Sequence, residues 1–122
     1  MDYRVLRELF RNLKEFEALF ETEGTDTIQG PDGTEYCLFD IKRIYDARFL
    51  LSLRQSQAIA MFLVDDIRER DVAAGLGVSE VNPVAIYATQ GLRRLCSMYE
   101  TGMLPGMEDS DEQAEARSLS PA

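Results

Sequence analysis

The chain has 122 residues, 45% of them hydrophobic and 29% charged, with a formal net charge of −9. That length supports one buried core. Two cysteines, Cys37 and Cys96, and no histidine exclude a structural zinc set, which needs four such ligands. No nucleophile motif, paired-carboxylate pattern or cofactor fingerprint stands in the sequence, so it offers no residues on which to build an enzyme. No apolar run is long enough to span a bilayer. The start, "MDYRVLRELF", is charged from its second residue and lacks the apolar run of a signal peptide. The expectation is therefore a cytoplasmic chain with both thiols reduced and no membrane partner.

Residues 2–22 have helical period. Leu6, Leu9, Phe10, Leu13, Phe16 and Phe20 recur at steps of three and four, which predicts one amphipathic helix laid on a core. Three phenylalanines on one stripe leave a second use open, as the seam of a homodimer. "TIQGPDGTEYCL" reads as two short strands around a tight Gly30-Pro31-Asp32-Gly33 turn, a β-hairpin. Glycines 30 and 33 lack the lysine and helix start of a phosphate-cradling loop. In "FDIKRIYDARFLL", Asp40 is placed to cap a helix with apolar face Ile41, Ile44, Tyr45 and Leu51 or Phe49. Ser52 followed by Gln55 forms a capping box, and Ile59, Phe62 and Leu63 carry that next helix to about Val64. A second helix runs from about Arg68 to Gly75. "LGVS" then turns the chain, with Gly77 at a position that tolerates positive φ. Val72, Ala73, Leu76 and Val78 are the small contacts that let two helices approach. Asn82 suits an N-cap and Pro83 the first helical position, so "SEVN" belongs to the turn. From Pro105 onward the chain is polar and acidic, a composition expected to stay disordered. One use of such a tail is to compete with DNA for the arginines.

The segment "LSLRQSQAIAMFLVDDIRERDVAAGLGVS…VAIYATQGLRRL" resembles region 4 of bacterial sigma factors and the related domains of small phage and bacterial regulators. The resemblance rests on Leu51 or Leu53 with Arg54-Gln55, on Ala73 with Leu76-Gly77-Val78-Ser79, and on Leu92-Arg93-Arg94-Leu95. It covers about residues 50–100. Two departures stand out. The turn is one residue longer and carries Pro83, and the recognition helix is poor in lysine and arginine.

Residue pattern outside that segment and the resemblance within it together predict a mainly α chain in three parts. Residues 1–51 hold the N-terminal helix, hairpin and connecting helix. Residues 52–104 form a three-helix unit with a helix-turn-helix, and residues 105–122 form the disordered acidic tail. The resemblance implies a DNA-binding transcriptional regulator of phage type, with double-stranded DNA as partner. The alternative is a protein-interaction module that contacts RNA polymerase or a sigma factor through a degenerate helix-turn-helix.

If Val84, Ala88, Gly91, Leu95 and Met98 face inward, then Ala85, Ile86, Thr89, Gln90, Arg93 and Ser97 face outward. Gln90 can read adenine with two hydrogen bonds, Thr89 can bond base or phosphate, and Ile86 can touch a thymine methyl. Charge is unevenly spread. Residues 1–51 carry seven basic against eleven acidic side chains, residues 52–104 five against six, and residues 105–122 one against five. The five basic residues of the central part are Arg54, Arg68, Arg70, Arg93 and Arg94, the candidates for holding phosphate. The expected DNA-contacting set is therefore Arg54, Arg68, Arg70, Asn82, Ala85, Ile86, Thr89, Gln90, Arg93 and Arg94. An uncharged helix with exposed Ile86 and Tyr87 also fits a protein partner.

Overall fold

The computed structural model describes residues 1–78 and 82–104. Among them the chain is mainly helical, with one two-stranded antiparallel hairpin. Helix α1 spans Tyr3–Arg11 and is capped by Asp2, whose side chain accepts from the Arg4 amide at 2.7 Å. Helix α2 spans Leu13–Glu23 and ends at Gly24 in the left-handed conformation. The single helix expected over residues 2–22 is thus two. Asn12 breaks it, at φ −105° and ψ 9°. Its backbone N–H and its side-chain amide both donate to the carbonyl of Glu8. A short amide side chain that bonds nearby backbone offers the chain an exit from the helical ladder. The break lets α1 bury Leu6, Leu9 and Phe10 completely, whereas α2 buries only Leu13 and leaves Phe20 exposed. The Phe20 ring meets Phe39 edge to face at 5.2 Å.

Strands β1 (Thr27–Gln29) and β2 (Glu35–Cys37) pair with Ile28 opposite Tyr36. The turn closes through Gly33 N–H to Gly30 O at 3.0 Å, and Tyr36 donates its hydroxyl to Asp32 at 2.8 Å. The hairpin is where the sequence places it. Helix α3, Leu38–Asp46, follows β2 without a loop. Asp40 is therefore not its cap. It lies in the first turn, 3.8 Å from the Arg43 guanidinium, because Cys37, still extended, already stands at the cap position and the Leu38 amide is tied back to Asp26 O at 2.7 Å. A short 3₁₀ turn, Ala47–Leu50, leads to Leu51, which is buried, while Phe49 points out.

Helix α4, Leu53–Ala58, starts where Ser52 Oγ accepts from the Gln55 amide at 3.2 Å. Half of the expected capping box forms. The Gln55 side chain does not reach back but turns to Gln90. Over Ile59–Val64 the helix widens into a π-helix, closed by Asp65 N–H to Ala60 O, five residues back. Asp66 then reverses the chain at φ 53°, a conformation that aspartate tolerates better than most residues. Helix α5 spans Glu69–Leu76 and ends on Gly77 at φ 72°, as the turn expectation requires. Helix α6 spans Asn82–Glu100.

One core cluster joins α1, α3, α4, the π segment and α6. A smaller cluster of Val72, Ala73 and Val84, flanked by Leu76 and Val78, seats α5 on α6. Helix α6 buries Val84, Ala88, Leu92, Leu95 and Cys96. At about 2 kcal/mol per buried leucine, against well under ~1 kcal/mol for an exposed ion pair, packing rather than charge sets the orientation of α6.

Candidate nucleic-acid interface

The buried stripe of α6 leaves Ala85, Ile86, Gln90, Arg93, Arg94 and Ser97 exposed and Thr89 half-buried. Ala85, Ile86, Thr89, Gln90 and Arg93 line one open depression of about 330 Å³. Five of the residues expected to contact DNA thus share one surface. They do so because positions 85, 86, 89, 90 and 93 repeat at helical steps of three and four opposite the core stripe.

Neighbouring elements hold three of the side chains around this face. Gln55 of α4 donates its amide to Gln90 Oε1 across 3.4 Å, while its own Oε1 is buried without a partner. Gln90 keeps both N–H donors and one lone pair for a further ligand. Arg54 donates Nη1 to the Tyr87 hydroxyl at 3.0 Å, with its guanidinium 5.8 Å from the ring centre. Tyr87 is accordingly half-buried against the core rather than exposed as expected. Arg93 lies over the ring of Tyr3, 4.7 Å from its centre, so α1 reaches the far end of the same face. None of these cross-element contacts is signalled by local sequence pattern.

The remaining candidates are not brought to the depression. Arg68, which precedes α5, and Arg70, on its first turn, are exposed. Arg94 is exposed one residue beyond Arg93 but does not line the depression. Asn82 opens α6, and its side chain lies outside the described residues. So do residues 79–81, which hold most of the expected "SEVN" turn, and residues 105–122, the expected acidic tail.

Among the described residues, the three ion pairs are Met1 ammonium with Glu100, Lys14 with Asp65 and Arg43 with Asp40. None of them engages Arg54, Arg93 or Arg94. Helix α6 itself carries Arg93 and Arg94 against Glu100, and Glu100 is occupied by the N-terminal ammonium. The face is therefore mildly basic on a chain whose total charge is −9.

Several large apolar side chains are also exposed. Phe49, Leu50 and Leu53 are 68%, 40% and 72% exposed, just before and at the start of α4, and Ile86 is 53% exposed on α6. Neither cysteine is in a disulfide. Cys37 is exposed and Cys96 is buried. Among the described residues no helix is long and apolar enough to cross a membrane. No family model, no curated protein and no solved structure matches this chain.

Proposed function

We propose that the protein binds double-stranded DNA through the outward face of α6 and acts as a small transcriptional regulator of the phage or bacterial type that its sequence resembles. The observation that carries this reading is the shared depression of Ala85, Ile86, Thr89, Gln90 and Arg93. It groups an amide, a hydroxyl, a methyl-bearing surface and a guanidinium on one exposed helix. Those are the groups that read base edges and hold phosphate in a major groove. A neutral helix suffices for reading, because base edges present donors, acceptors and methyls rather than charge. Affinity then comes from the flanking arginines, and the acidic remainder keeps it low.

The test is a fluorescence-anisotropy titration of a labelled random duplex pool at several salt concentrations. Binding that weakens with log[salt], at a slope of a few phosphates, is the expected result. Absence of binding at roughly 50 mM salt sinks the reading.

One observation favours a second reading, contact with RNA polymerase or a sigma factor. Phe49, Leu50 and Leu53 are exposed apolar residues shortly before Arg54, and such a group suits a protein interface better than a phosphate backbone.

A further inference from the structure

Two guanidinium groups lie near the ring of Tyr3. Arg93 of α6 lies 4.7 Å from the ring centre and Arg4 of α1 lies 5.7 Å from it. Neither arginine is in an ion pair among the described residues. The three residues come from opposite ends of the chain, and their meeting is built. Asp2 caps α1 through the Arg4 amide, and the Met1 ammonium pairs with Glu100 of α6. These contacts fix the first turn of α1 against the later half of α6. Asp2 is engaged at the cap and Glu100 by the N-terminal ammonium.

An arginine stacked on an aromatic ring keeps its N–H edge free, and its planar fork is already ordered. Two guanidiniums near one ring repel each other, and an anion bound to both relieves that repulsion. A phosphate oxygen set matches two such forks. The Tyr3 hydroxyl adds a donor. Arg4, then Arg93, hold its pKa below the usual phenol value, which makes it a stronger donor to an anion. Arg93 also lines the depression on α6, so the cluster continues the face already described. Arg4 lines a second depression with Arg7 on the hairpin side, but Asp2, Glu8 and Asp32 share that one, and their charge disfavours an anion there.

We propose that Arg4, Tyr3 and Arg93 form a phosphate clamp that extends the DNA-contacting face of α6 onto the first turn of α1. The clamp rests on the DNA-binding reading and names a contact that reading lacks, a duplex phosphate gripped from both ends of the chain. Tyr3 is the positioning residue, and Arg4 and Arg93 are the phosphate ligands.

The experiment uses the full chain and a labelled random duplex, titrated between roughly 50 and 200 mM salt. Arg4→Gln and Arg93→Gln each lower low-salt affinity about three- to tenfold and reduce the salt slope by about one. Tyr3→Leu removes no charge yet lowers affinity about threefold, while Tyr3→Phe retains most of it, because the ring does the positioning. Tyr3→Leu and Arg93→Gln are non-additive, and Tyr3→Leu and Arg94→Gln are additive. Circular-dichroism melts show which variants remain folded. If the wild type binds DNA but Arg4→Gln and Tyr3→Leu bind equally well, the clamp is overturned and the α6 reading stands. If the wild type binds no DNA, the α6 reading falls, and inorganic phosphate titrated against the arginine Nε–H resonances decides the clamp. Saturable shifts at Arg4 and Arg93 that vanish in Tyr3→Leu retain it as an anion site. No shifts overturn it.

Discussion

Gly91 of α6 and Ile59 at the start of the π segment pack so closely that a Cβ at Gly91 would lie 2.7 Å from Ile59 Cδ1. Leu51 Cδ1 and Gln55 Cβ crowd the same point at 3.1 and 3.4 Å. The glycine is the notch through which α4 and α6 approach. Since Gln55 also contacts Gln90, the notch sets how the outward face of α6 is held.

Gly91→Val is expected to destabilise the protein by roughly 1–3 kcal/mol, the cost of overpacking a filled core. Gly91→Ala sits near neutral. Its gain of about 1 kcal/mol in helix propensity offsets the shift of the terminal methyls of Ile59 and Leu51. Urea denaturation of the two variants checks this. Equal stability of Gly91→Val and the wild type would remove the notch.

Gly77 presents the opposite case. A Cβ there meets nothing within 4 Å, but φ is +72°. The cost of a side chain is conformational, about 1 kcal/mol or somewhat more for Gly77→Ala. Gly77→Asn should cost less, since asparagine enters this region more readily. A thermal melt in which Gly77→Ala matches the wild type would count against the left-handed turn.

On the DNA-binding reading, Gln90→Ala shifts sequence preference at one position, while Arg94→Ala weakens binding to all sequences alike. Selection from a randomised site library separates the two effects. Unchanged preference in Gln90→Ala would mean that the depression on α6 does not face the bases.

The buried Cys96 thiol has its pKa pushed up to about 11 by burial, from 9.0. A neutral thiol suits the folded state, so its contribution to stability is complete below about pH 9 and is lost as pH rises toward 11. The Met1 ammonium acts in the same direction. Its pKa is raised above 8.0, chiefly by the hydrogen bond to Glu100, so that contribution also fades with rising pH. Cys96→Ala is therefore expected to lose less stability than the wild type between pH 8.5 and 10, by of order 1 kcal/mol, while keeping the N-terminal share. Denaturation curves at the two pH values measure it. Parallel losses in both proteins would show that Cys96 ionises without unfolding.

Local pattern determined much of this molecule. The helical repeat of Val84, Ala88, Gly91 and Leu95 already divides α6 into a core face and an outward face, because a side chain's direction follows from a period of 3.6 residues. Gly30-Pro31-Asp32-Gly33 marks the hairpin, Ser52 the start of α4, and Gly77 the end of α5, since caps and turns depend on residues only a few positions apart. Tertiary structure decided the rest. The apolar stripe ran unbroken through Asn12, yet the chain breaks there, and α2 buries only Leu13. Asp40 lost its place as a cap because β2 runs directly into α3. The contacts of Gln55 with Gln90, Arg54 with Tyr87 and Arg93 with Tyr3 join residues 33 to 90 positions apart. No periodicity records such a meeting, since it depends on how α1, α4 and α6 settle on a shared core.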